Sequence, residues 1–421
     1  MLNMIPVRQK FPASPPIDVR ASLRRDFTPR VKAGARIAVG AGSRGITNLA
    51  AVVREVVAIL KDAGAQPFIV PAMGSHGGAT PEGQIQILSE YGVTEAGMGA
   101  PIHASMETVV LGRTEDGVPV RFGKAALDSD GIVVINRVKP HTDFGGPLGS
   151  GILKMIAIGF GKQAGAAAYH AAASRLGMER VIRTVSKIVL PKVPILAAVA
   201  LLEDTYHSTA RIVVLRAEEV EVREEEIQAE ARRLMPKLPF DDIDLLIIDR
   251  LGKNISGAGM DPNITGRGVH GYSSKLSEHT ARPIIHRLYV RDLTPESHGN
   301  AIGIGMADFT TTRLVASIDA GAAAMNALTS LSINSFKIPI AFENDRDAIP
   351  KILGTVPLAD GRLHRIVRIQ DTLSLGRVDV SEAYASELAG RSDLEALGPA
   401  RELTFDAAGH LPPLARDGGA S

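Results

Sequence analysis

Apolar residues in the first half of the chain fall into two alternating patterns. Short continuous apolar runs have the length of buried strands, and each is followed by a loop that contains glycine. Between them, apolar residues recur at helical spacing. Repeated strand, loop and helix units predict a parallel sheet with right-handed crossovers. The predicted strands cover residues 36–40, 67–70 and 131–135, and the predicted helices cover 48–63 (capped by Thr47 or Asn48), 81–91 (capped by Thr80, with Pro81 and Glu82 in the first turn) and 162–176.

A second unit of the same kind follows. Residues 218–233 are densely charged and predict a helical linker with a solvated face. After Pro236 and Pro239, a new apolar run at 244–249 begins a further αβ lobe. The expected fold is α/β, with two αβα lobes, mainly parallel sheets and an interdomain active-site cleft. We expect an N-terminal catalytic and cofactor-binding domain over 1–235 and a C-terminal α/β domain over 240–421, whose tail after Gly390 either packs on the first domain or frays.

The amino-acid composition excludes several classes of partner and metal site. Lys and Arg number 47 and Asp and Glu 46, and this balance argues against a nucleic-acid partner. The chain has no cysteine, which excludes disulfides, iron–sulfur clusters and thiolate zinc sites and fits a reducing compartment. The N-terminus has no signal-peptide core, and the most apolar stretch, 194–202, is too short to span a bilayer. We therefore expect a soluble cytoplasmic protein with no membrane partner, and leave a homo-oligomer open.

Three polar residues follow three predicted strands. Arg44 comes after the first strand, His76 after the second and His141 after the third. Ligands of parallel sheets bind beyond the carboxyl ends of the strands, so these side chains are expected in one crevice. Two imidazoles can exchange protons near neutral pH from opposite faces of a substrate, as a racemase or epimerase requires. The planar fork of Arg44 suits a substrate carboxylate.

A glycine-rich segment, 145–154, ends at Lys154 but lacks the P-loop spacing. Its backbone amides are candidates to hold a phosphate at a helix start. His170 follows in an alanine-rich helix. It is either a buried histidine bonded to a carbonyl, or a residue whose small neighbours leave room for a bulky cofactor.

In their order along the chain, Arg44, His76, His141, Lys154 and His170 resemble the nickel-dependent lactate racemase family. The resemblance covers the N-terminal lobe well and the C-terminal lobe loosely. It implies that His76 and His141 are the acid/base pair, that Lys154 covalently tethers a nickel-pincer nucleotide and that His170 binds its nickel. Hydride would move between the substrate carbon and the cofactor, which maturation proteins must supply. The cofactor contacts expected besides Lys154 are Ser43, Gly74, Gly145, Gly146, Gly149 and Ser150.

The chain departs from the lactate enzyme in several places. The loop between His141 and Lys154 is longer, and Lys139 is a less plausible tether. Thr265-Gly-Arg-Gly-Val269 stands where the lactate enzyme has a Gln and a Lys, and there is no tryptophan to wall the pocket. These differences favour a 2-hydroxy acid other than lactate, such as a sugar acid. The candidate substrate contacts are Arg44, Asp261, Asn263, Arg267, His298 and Asn300, although Asp and Asn also favour turns and His298 could cap a helix.

Other functions remain open from the sequence. His76, His141 and His170 could bind zinc or another divalent ion directly, in a metallohydrolase that leaves Lys154 without a role. A dehydrogenase is less well supported, because residues 40–45 resemble a dinucleotide fingerprint only superficially. A non-catalytic nickel or nucleotide carrier would need neither Arg44 nor a second imidazole.

Overall fold

A computed structural model describes residues 2–43, 45–142, 144–268, 283–358 and 361–414. The chain divides into two compact units: an N-terminal unit, Pro12–Met235, and a C-terminal unit made of Met1–Phe11 with Pro236–Ser421. Each unit is an α/β structure built on a mainly parallel sheet, as the sequence predicts. No helix among the described residues is long and apolar enough to cross a membrane.

The elements have the following bounds. The strands are β1 Asn3–Gln9, β2 Arg36–Ala41, β3 Gln66–Pro71, β4 Thr108–Arg113, β5 Pro119–Gly123, β6 Gly131–Arg137, β7 Ile195–Glu203, β8 Thr209–Leu215, β9 Asp242–Leu251, β10 Ile284–Leu293, β11 Phe309–Thr311, β12 Ile340–Phe342, β13 Ile366–Ile369, β14 Arg377–Ser381, β15 Leu394–Ala396 and β16 Arg401–Glu402. The helices are α1 Val19–Asp26, α2 Leu49–Asp62, α3 Pro81–Glu90, α4 Glu95–Met98, α5 Lys124–Leu127, α6 Ile152–Lys154, α7 Phe160–Leu176, α8 Met178–Val189, α9 Val220–Leu234, α10 Pro262–Thr265, α11 Thr312–Ala316, α12 Ala320–Thr329, α13 Asp345–Leu353 and α14 Ala385–Ala389. A π-helical turn, Met155–Gly159, joins α6 to α7.

The sheet of the N-terminal unit has the order β3-β2-β6-β7-β8. Its first four strands are parallel, and β8 pairs antiparallel with β7. The three predicted strands are confirmed as β2, β3 and β6. Their continuous apolar runs arise because helices cover both faces of the sheet. On one face α2 packs its buried valines on β2, and on the other the ring of Phe160 lies against Gly40, where a side chain would collide with it.

Of the helix caps predicted from the sequence, one is present in the structure and one is not. Thr80 caps α3 as predicted, because its Oγ1 accepts a hydrogen bond from the backbone N–H of Gly83 at 3.1 Å. Asn48 does not cap α2 with its side chain. Its backbone is left-handed, with φ 62°, and its amide donates instead to Oγ1 of Thr209 at 2.9 Å. The side chain of Asn48 therefore bonds to a residue distant in sequence instead of capping the helix.

The sheet of the C-terminal unit has the order β12-β11-β10-β9-β13-β14-β1-β15. Strands β9 to β13 are parallel, whereas β14, β1 and β15 join antiparallel.

Because β1 pairs with β14, the assignment of residues 1–11 to the N-terminal domain is wrong. The tail is also part of this unit as far as residue 414. The backbone N–H of Leu411 donates to Asp345 at 2.7 Å, which ties this stretch to α13 of the same unit.

Candidate active site

The candidate site lies at the carboxyl ends of β3, β2 and β6, which are neighbours in the parallel sheet of the N-terminal unit. The loop after β2 carries Ser43, the loop after β3 carries His76 and the loop after β6 carries His141. The topology thus brings three distant parts of the sequence to one sheet edge. Arg44 lies outside the described residues.

Ser43 and His76 join the first two loops. The hydroxyl Oγ of Ser43 lies 2.6 Å from Nδ1 of His76. The backbone N–H of His76 donates to the carbonyl of Met73 at 3.2 Å, which closes the turn after β3. A hydroxyl can donate or accept, so it holds the imidazole in place with either tautomer. The ring of His76 therefore has a defined orientation at the sheet edge.

His141 and Lys154 form the second pair. Nζ of Lys154 lies 2.6 Å from Nε2 of His141 and 3.4 Å from Oγ of Ser150. The ring of Phe144 stacks on His141, with 4.4 Å between ring centroids. A hydrogen bond between an amine and an imidazole requires a lone pair on one of the two nitrogens. The predicted acid/base residue and the predicted tether are therefore direct neighbours.

Asn136, at the end of β6, links these two pairs. Its amide Nδ2 donates to the carbonyl of Gly151 at 2.8 Å. On its other side, a Cβ added to Gly42 would lie 2.9 Å from Oδ1 of Asn136. The strand end next to Ser43 and the segment before Lys154 thus contact one side chain. Sequence reasoning missed Asn136, although it ends a core strand where a polar side chain is informative.

Helix α9 holds the glycine-rich segment. Nε2 of Gln228 donates to the carbonyls of Lys139 (3.1 Å) and Ser150 (2.9 Å), and a Cβ on Gly149 would lie 2.8 Å from that nitrogen. Oε2 of Glu224 accepts the backbone N–H of Leu153 at 2.7 Å. Both side chains are fully buried. The predicted helix is therefore present, but its description as a solvated linker is wrong at these two positions.

This arrangement changes the interpretation of the glycines. Gly149 leaves room for Gln228, and a side chain on Gly151 would collide with Glu224. The carbonyl of Gly146 accepts a hydrogen bond from Arg232, and a side chain there would meet Glu179. The carboxyl group of Glu224 already accepts a hydrogen bond from a backbone N–H of α6, where the sequence suggested a phosphate-binding position. Burial raises the pKa of Glu224 to about 8.

Gly74 brings the His76 loop against the helix of His170. Its backbone is left-handed, with φ 60°, and its N–H donates to the carbonyl of Gly159 at 3.1 Å. A Cβ on Gly74 would lie 3.8 Å from the Cβ of Ala166, one turn before His170 on α7. His170 is partly exposed, and its neighbours Ala167 and Ala171 are exposed. His170 thus follows the buried Tyr169 and is flanked on α7 by the small, exposed residues Ala167 and Ala171.

The predicted residues of the C-terminal unit have local partners. Oδ1 of Asp261 accepts the backbone N–H of Asn263 at 2.9 Å and so caps α10. The guanidinium of Arg267 pairs with Asp308 at 2.8 Å and also donates to backbone carbonyls of Met306, Ile285 and His286. Contact between Arg267 and a substrate would therefore require these bonds to be replaced.

His298 and Asn300 lie in the loop after β10. His298 has left-handed backbone, with φ 46°, and its N–H donates to the carbonyl of Pro295 at 3.0 Å. Oδ1 of Asn300 accepts the N–H of Ile302 at 3.2 Å. Both residues thus shape the loop locally, and their contact with a substrate stays a prediction. Among the described residues, no group of three or more His, Asp or Glu side chains could hold a metal ion.

Comparison with known proteins gives one family match and distant structural likenesses. The model of a domain of unknown function (DUF362) matches residues 38–217. The structure is similar to that of a Thermotoga maritima protein, at 15% identity and a TM-score of 0.46, over 65% of this chain and 68% of the other. It is also similar to the lactate racemase apoprotein from Thermoanaerobacterium thermosaccharolyticum, at 13% identity and a TM-score of 0.47, over 80% of this chain and 97% of the other. A search of curated proteins found no significant match. The family match includes His76, His141, Lys154 and His170.

Proposed function

We propose that the chain is a racemase or epimerase that inverts C2 of a 2-hydroxy acid with a nickel-pincer nucleotide. The observation that carries the proposal is the 2.6 Å contact between Lys154 and His141, at the sheet edge that also holds His76. An amine that can form a covalent bond, beside an imidazole that can accept or donate a proton, suits a tethered cofactor next to a reacting hydroxyl group.

The two imidazoles handle the proton of the substrate hydroxyl. One ring accepts that proton, and the ring on the other face donates a proton back to the same oxygen, so His76 and His141 exchange roles with the direction of the reaction. Ser43 keeps His76 in one orientation through the 2.6 Å contact to Nδ1. Fixed rings reduce the entropy that must be lost when the reacting atoms align. Arg44 is the proposed partner of the substrate carboxylate.

The residues present fit the cofactor by their donor chemistry. Lys154 provides an amine for the tether, and His170 provides one imidazole for nickel from the next long helix. The exposed residues on α7 next to His170 include the small side chains Ala167 and Ala171, which suits a flat group at this position. When bound, the cofactor would supply the reversible hydride acceptance that C2 inversion needs. Ser43, Gly74, Gly145 and Ser150 are the proposed further contacts; Gly146 and Gly149 face protein side chains and are weaker candidates.

We propose a polar 2-hydroxy acid, with sugar acids as the first class to test. The chain lacks tryptophan, so no indole ring can wall its pocket. The substrate contacts predicted from the sequence at Asp261, Asn263 and His298 stay predictions. Arg267 is the weakest of the candidates because Asp308 already pairs with it.

Intact-mass and nickel analysis of protein made together with cofactor-maturation proteins tests the proposal. We expect a mass increase of nucleotide size on the Lys154 peptide, about one nickel per chain, and interconversion of the two C2 forms of at least one acid in a chiral panel. Lys154→Met should abolish the adduct, whereas Lys187→Met, at an exposed position on α8, should retain it.

Two results would contradict the proposal. An unmodified chain that is active with stoichiometric zinc would favour the metallohydrolase in which His76, His141 and His170 bind the metal. A chain that carries the adduct and nickel but converts none of the acids would favour the carrier. Substitution of Arg44 separates these cases further, because a carrier needs no carboxylate clamp.

A further inference from the structure

Lys162 is a buried lysine in the first turn of α7, just after the π-helical turn. Its residue is 1% exposed, and burial lowers the pKa of its amine to about 8. Nζ donates to the carbonyl of Pro71 at 2.5 Å and to Oε1 of Gln84 at 3.4 Å. Burying an ammonium group is costly, and both of these partners are uncharged. The side chain therefore makes polar contacts at a cost that an apolar residue would avoid.

Gln84 extends these contacts to the His76 loop. It projects from α3, is fully buried, and its amide Nε2 donates to the carbonyls of Gly74 (3.0 Å) and His76 (3.3 Å). Together, Lys162 and Gln84 contact three carbonyls within residues 71–76, the segment that leads from the end of β3 to His76. Buried carbonyls of a loop need such donors because no neighbouring strand supplies them.

The backbone of Lys162 is strained. Its φ of 55° and ψ of −163° lie in a region that is nearly reserved for glycine, and they interrupt the helical geometry at the start of α7. A glycine would adopt this conformation without strain but would provide no amine. Strain of this kind persists where the surrounding structure holds it, and it concentrates at functional sites.

We propose that Lys162 is a positioning residue for His76, acting through the carbonyl of Pro71 and through Gln84 to hold the loop that presents the imidazole. The contacts stand without the proposed function; only the catalytic role of His76 rests on it. Lys162 also lies in the first turn of α7, the helix of His170, and follows the segment of Lys154. It thus connects the His76 loop to the part of the chain that carries the proposed tether and nickel ligand.

A purely structural role predicts a different outcome from a positioning role. If Lys162 mainly stabilised the fold, replacing it with methionine would lower the melting temperature and leave a folded His76 loop unchanged. If it positions His76, Lys162→Met retains side-chain volume and removes the cost of a buried ammonium group, which offsets the cost of the unpaired Pro71 carbonyl, so the melting temperature stays close to that of the natural chain. The loop nevertheless loses the donor to the Pro71 carbonyl and becomes less ordered.

The experiment uses the full chain and compares Lys162→Met and Gln84→Met with Lys187→Met as the exposed control. Modification of His76 by diethyl pyrocarbonate is mapped by mass spectrometry against His103, whose ring packs on Phe68. Hydrogen–deuterium exchange of residues 72–80 is measured in parallel. We expect the His76-to-His103 modification ratio to change about tenfold, as the loss of two hydrogen bonds implies. Exchange of the loop should rise with no loss of melting temperature.

Unchanged His76 reactivity and loop exchange in the folded variants would overturn the proposal. Unfolding of both variants would also overturn it, because it would assign the two residues to stability. None of these readouts needs cofactor or turnover. A chain that proves inactive on all hydroxy acids, yet shows the expected change at His76, would therefore contradict only the proposed function.

Discussion

Nζ of Lys154 lies 2.6 Å from Nε2 of His141, although thirteen positions separate the two residues in sequence. The bridge between Lys139 and Ser150 folds the intervening segment back on itself, with both backbone hydrogen bonds formed at 2.8 and 2.9 Å. The proposed tether and the proposed proton-transfer group are therefore coupled before any cofactor is attached. Whatever bonds to Lys154 must rearrange its contact with His141.

This coupling predicts that His141 controls the reactivity of Lys154. In His141→Asn, the amine loses one hydrogen-bond partner, and we expect acetylation of Lys154 by a small acylating reagent to accelerate about fivefold, a typical effect of one polar hydrogen bond. Peptide mass spectrometry of the cofactor-free protein measures the rate, with Lys187 as internal control. An unchanged ratio of the two rates would mean that the contact has no influence on the amine.

Ser43 is predicted to act through His76. Ser43→Ala should lower kcat about tenfold because the ring loses one orienting hydrogen bond, whereas His76→Asn should lower it by about two to four orders of magnitude, the usual range for general acid/base groups. Ser129→Ala is the matched control, because Ser129 makes a comparable 2.6 Å bond to Ala126 and precedes β6 at the opposite end of the strand. An equal loss in the Ser43 and Ser129 variants would contradict the assignment.

We expect the buried carboxyl group of Glu224 to make the folding stability of the chain depend on pH. Burial raises the pKa of its carboxyl from 4.5 to about 8 in the folded chain, so the folded state holds a proton that the unfolded state releases between these values. Its stability contribution is thus present below about pH 4.5 and is lost as the pH rises through about 8. The free energy of unfolding, measured with denaturant, should decrease from pH 5 to pH 9. This decrease should be smaller in Glu224→Gln than in the natural chain, by at least about 1 kcal/mol.

The control for that measurement is Glu226→Gln on the exposed side of α9, where the carboxylate pairs with Arg223 at 2.9 Å. Exposed pairs of this kind contribute little, so its pH dependence should match that of the natural chain. Parallel pH profiles for Glu224→Gln and Glu226→Gln would show that the buried carboxyl is not the responsible group.

Asp345 is predicted to be essential for the stability of the C-terminal unit. Its buried carboxylate accepts from Tyr289 at 2.6 Å, from Arg291 at 2.8 and 3.0 Å, and from the backbone of Leu411 at 2.7 Å. Asp345→Ala removes one of the two carboxylates that pair with Arg291 and leaves the Tyr289 hydroxyl and the Leu411 N–H without this acceptor, which should cost about 3 to 5 kcal/mol in unfolding free energy. Asp347→Ala, exposed on the same helix, should cost less than about 1 kcal/mol.

Local sequence patterns predicted the elements whose buried faces are apolar. The runs that became β2, β3 and β6 and the spacing that became α2 were found within one or two residues of their observed ends. The same reasoning failed where polar residues are buried, because a buried Glu224 or Gln228 is indistinguishable in a pattern from a solvated one. It also assigned β1 to the wrong unit, since strand pairing between residues 3–9 and 377–381 leaves no local signal.

The sequence by itself determined the α/β class and the order in which His76, His141, Lys154 and His170 occur, because apolar periodicity and loop position are properties of neighbouring residues. Only the tertiary structure decided that Lys154 contacts His141, that Ser43 orients His76, and that Glu224, Gln228, Gln84 and Lys162 hold the loops of the site. Each of these contacts joins groups that are brought together by the stacking of strands and helices, and their energies depend on burial that no local stretch of sequence specifies.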